Sequence, residues 1–466
     1  MAVAVLVFVF VLTSYTRLYV AGTSASTIQN HQVEIPTPVA FQNLWGAYTP
    51  YFHAEHYKPP PHNCKINQIQ RHGARFPTSG ATTRILSAVS KLKSVPQTTL
   101  DQQLLFLKDY QYTLGVADLV PFGAYQSAES GAAVFERYRK LVSKGNIPFV
   151  RASGSTRVID SATNWTAGFA EASSNAYQPK LTVILNESLN DTLEDAMCPN
   201  VGEPDEQTDI WANIFTPPII DRLNSWAPGA NLVPTDVISL VSLCAFESVA
   251  LEKLSPWCSL FTHQEFEQFG YWSDLEKYYN RGYGQPLGPV QGVGYINELL
   301  ARLTGLPVRD NTQTNHTLTS SPITFPLDRT IYADFSHDNL MIAMYSAMGL
   351  FKQASGHLDP RKPNPERTWV ASLLTPFSAR MVVERMTCRG LHKRLDDATD
   401  AELSESETSS RFIKKDTFVR VLVNNAVQPL EFCGGNEHGL CTLPAFVESQ
   451  AYARNDGNGD FEKCYE

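Results

Sequence analysis

Six short apolar runs with extended character recur along this chain: Lys65 to Ile69, Ile147 to Arg151, Leu181 to Leu185, Thr330 to Phe335, Arg380 to Met386 and Phe418 to Val423. Helix-like stretches such as Gly123 to Lys144 and Thr156 to Ala170 lie between them. Alternation of this kind predicts an α/β fold, a mainly parallel central sheet with helices on both faces. Ligands of such sheets gather beyond the carboxyl ends of the strands. Arg71, His72, Arg151 and His337 all fall at or just past predicted strand ends, so one crevice is expected to hold them.

The alternation breaks between about residues 188 and 290, where helix-like segments cover Thr208 to Phe215, Asp236 to Leu251 and His263 to Tyr279. The spacing predicts a smaller helical domain that roofs the crevice. The expected division is residues 26–187 with 291–466 for the α/β domain and 188–290 for the helical cap. A chain of 466 residues is long for one core, and 43% hydrophobic content supplies a large interior. Residues 24–62, rich in Pro and aromatics, predict an extended surface segment. Asp396 to Ser410 is acidic and rich in Ser and Thr, which predicts a mobile loop.

Ala2 to Leu12 is an unbroken apolar run followed by small residues near Ala21 to Ala25, so residues 1–25 read as a secretory signal peptide. No other stretch is expected to span a membrane, and none is expected to bind one once the signal is removed. Sequons at Asn164, Asn186, Asn190 and Asn315 agree with a secreted, extracellular glycoprotein. The net charge of −9 argues against a nucleic-acid partner. Eight cysteines fit four bridges in an oxidising compartment, with 105 possible connectivities. Short loops favour Cys433 with Cys441 and Cys244 with Cys258, zinc being the rival at Cys433 and Cys441.

The chemistry concentrates in Gln70-Arg71-His72-Gly73-Ala74-Arg75-Phe76-Pro77-Thr78. Guanidinium forks match phosphate oxygens bidentately, Gly73 admits close backbone approach, and a neutral imidazole can attack phosphorus. Arg-His-Gly alone arises by chance roughly once in thirty chains of this length. Its weight rises with the downstream Phe335-Ser336-His337-Asp338-Asn339, which follows another apolar run. Together they predict phosphoryl transfer through a phosphohistidine, with Asp338 as general acid or, more blandly, a helix cap. Gly292-Val293-Gly294 lacks a full dinucleotide fingerprint, and Phe461 breaks the calcium-loop pattern that starts at Asp456.

These motifs, with Val150-Arg151-Ala152-Ser153-Gly154, Leu287 to Tyr295 and Val419 to Asn425, resemble the histidine acid phosphatase family. Within it the chain is most similar to fungal phytases of the basidiomycete type, over nearly everything after residue 40. The resemblance implies a histidine phosphatase fold and a secreted hydrolase that strips phosphate from myo-inositol hexakisphosphate without cofactor or metal. It implies His72 and Asp338 as catalytic, and Arg71, Arg75, Arg151 and His337 as phosphate-binding. Tyr48 and Lys277 match positions at the pocket rim, where Arg84 and Arg281 could add cationic contacts. Both short-loop bridges are implied too, with Cys64 to Cys388 and Cys198 to Cys464. The rivals are a broad-specificity acid phosphatase, a phosphoglycerate mutase, and a non-catalytic inositol-phosphate-binding secreted protein. A monomer is the default assembly.

Overall fold

The computed structural model describes residues 35, 38–59, 64–388 and 416–466, with Cys64, Cys388 and Asp416 placed by their backbone alone. The signal segment and the acidic stretch 396–410 lie outside the described residues. All six apolar runs are strands: β1 Cys64–Arg71, β2 Phe149–Ser153, β3 Leu181–Leu185, β4 Ile331–Ser336, β5 Arg380–Cys388 and β6 Asp416–Val423. They form one sheet in the order β3-β2-β4-β1-β5-β6-β7, with β7 Ala426–Val427 at its edge and β8 Cys441–Thr442 also pairing β6. From β3 to β1 the pairing is parallel, and from β5 onward it is antiparallel. The expected, mainly parallel sheet therefore carries an antiparallel wing, which strand composition does not announce.

Among the described residues nine helices have ten or more residues: α1 Ser79–Lys93, α2 Pro121–Tyr138, α3 Thr156–Ala172, α4 Asp205–Phe215, α5 Pro217–Trp226, α6 Pro234–Leu251, α7 His263–Asn280, α8 Val293–Thr304 and α9 Asp338–Met348. Proline opens α2, α5 and α6, where a missing N–H costs nothing. Thr262 and Glu265 close a reciprocal capping box on α7, at 3.3 and 2.9 Å. One face of the sheet packs Ile66, Val150, Ile331 and Phe335 against Val134, Trp165 and Phe169 of α2 and α3. On β4 the alternate residues Tyr332, Asp334 and Ser336 face the other way, as a two-residue strand period requires.

Residues Ile35 to Glu466 form one compact unit, so the helical insertion is a layer continuous with the α/β core. Helix α6 packs on α1, and α7 packs on α4. Against expectation, α6 is long and apolar enough to cross a membrane, with mean hydropathy 1.4, but most of it is buried inside the protein. Its Glu247 accepts from Tyr110 Oη at 2.9 Å and Ser255 Oγ at 2.5 Å, polar contacts that suit a core helix. Cys198 is bridged to Cys464, Cys244 to Cys258 and Cys433 to Cys441, which removes zinc at the last pair. Cys64 and Cys388 sit on neighbouring strands, but their side chains lie outside the described residues.

The amino end of α2 sits directly on the loop after β1. A β-carbon on Gly123 would stand 2.0 Å from Ala74 O, and one on Gly73 2.1 Å from Gly123 O. Gly123→Ala must push the loop carrying His72 or the helix, and a displacement of about 1 Å at a reacting group costs ~10²-fold in rate. We expect a lowered melting temperature and at least that loss of turnover. Gly145→Ala, whose added carbon meets nothing within 4 Å, is expected to match the wild type in a parallel melt and assay.

Candidate active site

At the carboxyl ends of β1, β2 and β4 the helices α1, α3 and α9 begin, at Ser79, Thr156 and Asp338, so three positive helix ends open on one crevice. The loop after β1 is fixed by its backbone. His72 N donates to Ser336 O at 3.0 Å, Ser378 N to His72 O at 2.9 Å, Gly73 N to Ser161 Oγ at 3.0 Å and Ala74 N to Gln126 Oε1 at 3.0 Å. His72 is 1% exposed. Its Nδ1 lies 2.8 Å from Gly73 O. A carbonyl only accepts, so Nδ1 carries the proton and Nε2 keeps the lone pair. Burial, then Arg71, Arg75, Arg157 and His337, push the imidazole well below its ordinary pKa, so it stays neutral in acid.

Arg71 is fully buried over the Phe377 ring, with Nη1 donating to Ala47 O and Thr375 O at 2.5 and 2.6 Å. Arg75 Nη1 donates to Phe76 O at 2.9 Å, and burial followed by Arg71 lowers this guanidinium to about 10. The Nε groups of Arg71, Arg75 and Arg157 are buried without a hydrogen-bond partner. Three buried donors beside a neutral histidine suit the oxygens of a tetrahedral anion.

Arg151, expected in this clamp, is not part of it. It is the middle residue of β2, level with Asp334 on β4, and its Nε donates to Asp334 Oδ1 at 2.6 Å while Nη2 pairs with Glu298. Arg302 completes this buried network through Asp334 Oδ2 at 2.5 Å. The third guanidinium of the crevice is Arg157, in the first turn of α3 beyond the strand end, with Nη2 3.1 Å from His337 Nδ1. The carboxyl-end rule points past β2 to this residue, and a strand-interior arginine is the wrong choice between the two.

His337 lies 5.8 Å from His72, ring to ring. Its Nε2 is 3.1 Å from Glu187 Oε1 and 2.8 Å from Glu194 Oε2. Burial opposes charge on this ring, but the two carboxylates outweigh burial and Arg157 and raise it to about 9. The hydrogen bond to His337 in turn lowers Glu187 to about 2. Both follow β3 in a loop whose only sequence signals are the sequons at Asn186 and Asn190, and neither glutamate belongs to a motif that points to this role. Glu187, Glu194 and His337 bring ligand-type atoms within 4.8 Å of one another, yet the ring N–H already fills the place a cation would need.

Asp338 is the first residue of α9, not its cap. Its Oδ2 lies 3.1 Å from Arg71 Nη2 and 2.9 Å from Lys277 Nζ. Burial raises this carboxyl, but Arg71 and Lys277 override it and hold it well below the usual range. A cleft of about 490 Å³ reaches Arg75, Lys277 and Asp338 and is lined further out by Tyr48, Arg84, Ile85, Glu203, Asp209 and Glu276. Tyr48, Arg84 and Lys277 all line this cleft, Lys277 from a buried position at 6% exposure where its ammonium meets Asp338. Arg281 turns to Asp195 at 2.7 Å and to Asn280, and is not among the residues lining this cleft.

A ring held charged up to about pH 9 should grip an anion up to that pH and release it as pH rises further. Glu187→Gln removes one supporting carboxylate, so His337 should lose its proton at lower pH and the release should come earlier. Calorimetric binding of sulfate, whose own charge is constant over this range, checks it. Superimposable pH profiles for variant and wild type would contradict the role of Glu187.

Residues 65–424 match the histidine phosphatase superfamily (branch 2). The chain is 39% identical to Phytase A of Emericella nidulans over 98% of this chain and 99% of that one. It is 37% identical to Phytase A of Aspergillus fumigatus over 90% of each. Among solved structures its fold is similar to the phytase from D. castellii, with a TM-score of 0.69 at 22% identity over 89% of this chain and 85% of that one. It is also similar to a multiple inositol polyphosphate phosphatase of Bifidobacterium longum, with a TM-score of 0.55 at 13% identity over 89% and 98%. With the paired motifs, the sheet and the arginine-lined crevice in agreement, the chain belongs to branch 2 of the histidine phosphatase superfamily.

Proposed function

We infer that the protein is a phytase, a phosphomonoesterase that removes phosphate from myo-inositol hexakisphosphate and works in acid. The observation that carries this reading is a neutral, buried His72 with its proton on Nδ1, beside three guanidiniums that each keep an unpaired donor. Phytases at 37–39% identity over nearly the whole length supply the substrate class.

His72 Nε2 attacks phosphorus in line, the N–P bond forms and the P–O ester bond breaks. Arg71, Arg75, Arg157 and His337 hold the phosphoryl oxygens as charge redistributes, and positioning with electrostatics supplies most of the rate in this chemistry. The leaving oxygen takes a proton from Asp338. Water then attacks the phosphohistidine, gives its proton to the Asp338 carboxylate, and the N–P bond breaks to release phosphate. Asp338 begins as an anion, so it must gain its proton after substrate arrives, once substrate phosphates offset the positive charge of Arg71 and Lys277.

The helical segment 188–290 forms the substrate-facing lid of the cleft. Secretion is part of the reading. Three bridges fit an oxidising compartment. Asn186 and Asn190 are exposed, while Asn164 and Asn315 are half-buried, their side chains hydrogen-bonded to Asp160 O and Leu318 N. Glycans are therefore placed at Asn186 and Asn190 first.

Purified protein given phytate should yield successively lower inositol phosphates. An inositol alkoxide needs a proton as it leaves and nitrophenolate does not. Asp338→Asn should therefore lower kcat on phytate by roughly 10²-fold or more, with a much smaller loss on p-nitrophenyl phosphate. Equal losses on the two substrates would remove Asp338 as the acid.

A further inference from the structure

Two cations bind the same oxygen of Asp338, and they come from different layers of the fold. Arg71 reaches Oδ2 from the end of β1, as part of the phosphate clamp. Lys277 reaches it from α7, in the helical layer, and also contacts Asn339 Oδ1 at 2.8 Å and Glu276 Oε2 at 3.1 Å. The other charged or titratable groups facing Asp338 are His72 and Arg75 from the loop after β1 and Tyr48 from the short helical turn Gly46–Tyr48. None of these bonds the carboxylate, so among the described residues Arg71 and Lys277 hold it by direct contact.

A carboxylate gripped by two cations lends a proton poorly, because each positive charge favours the ionised form. A phosphate in the clamp neutralises Arg71. It does nothing for Lys277, whose compact ammonium sits on a flexible stem and can move to another anion. We propose that Lys277 is a specificity-determining residue: it keeps Asp338 deprotonated until a second phosphate on the same substrate draws the ammonium away. The acid is then armed for polyphosphorylated esters and stays disarmed for alkyl monoesters. Lys277 exchanges one anionic partner for another, Asp338 takes a proton from solvent, and that proton passes to the leaving oxygen as the P–O bond breaks.

The proposal rests on the roles given above to His72 and Asp338, and its test separates the two. Glycerol 2-phosphate leaves as an alkoxide and needs the acid; p-nitrophenyl phosphate does not. The ratio of their turnover, measured on one preparation, is independent of the fraction folded. Each pKa unit by which Asp338 rises multiplies its protonated fraction about tenfold. Lys277→Met should therefore raise the ratio of glycerol 2-phosphate to p-nitrophenyl phosphate turnover about tenfold or more at mildly acidic pH. The fall of that ratio with rising pH should move to higher pH, and phytate should lose its advantage over glycerol 2-phosphate. Lys277→Gln carries the same expectation while keeping a hydrogen-bond donor toward Asn339, so a poorly folding methionine variant does not shelter the idea. Lys277→Arg, which keeps the charge, should retain the wild-type ratio. An unchanged ratio in the neutral variants, or one that shifts equally in the arginine variant, overturns the gate. Wild-type protein that turns over neither phytate nor p-nitrophenyl phosphate would instead overturn the phosphatase reading itself.

Discussion

Burying cations beside one another is the constraint around which this structure is organised. Arg71, Arg75 and Arg157 converge on His72 in a crevice where the imidazole is 1% exposed, and each desolvated ion costs several kcal/mol unless it finds a partner. The protein offsets part of that cost. Carbonyls of Ala47 and Thr375 take one nitrogen of Arg71, Phe377 backs its guanidinium, and Asp338 lies across it. The remaining Nε donors are left without protein partners. A site built this way favours an anion at its centre and a neutral base beside it, which is the combination that attack on a phosphate ester needs.

Two further charge clusters keep this arrangement in place. Behind the crevice, Arg151, Arg302, Asp334 and Glu298 form a buried, mutually neutralised network that ties β2, β4 and α8 together. Beside it, Glu187 and Glu194 hold the His337 ring and keep its charge. The first supports the strands whose ends carry His72 and Asp338. The second fixes the side chain that the proposed mechanism sets against the phosphate.

Much of this was legible in the sequence, for identifiable reasons. Apolar runs of five to seven residues separated by helices gave all six long strands, because a half-buried or buried strand must present such a run. The two motifs placed His72 and Asp338 because their chemistry demands those residue types together. What failed were choices that depend on side-chain direction. Arg151 and Arg157 are both plausible cations near a strand end, and only the strand register turns one into the sheet network and leaves the other at the crevice. Lys277 does line the cleft, but its burial against Asp338 was not legible, because it depends on a partner sixty-one positions on. Glu187 and Glu194 carry no spacing signal at all. The antiparallel wing escaped because strand composition does not fix strand direction.

The central claim is a covalent one, that phosphate passes through His72. Rapid quenching of the protein with phosphorus-labelled phytate, followed by peptide mapping, tests it most directly. The account predicts an acid-labile, base-stable phosphoryl adduct on His72 during turnover and none in His72→Ala, which should also lack activity. An adduct that persists in His72→Ala, or turnover near the wild-type rate in that variant, would contradict it.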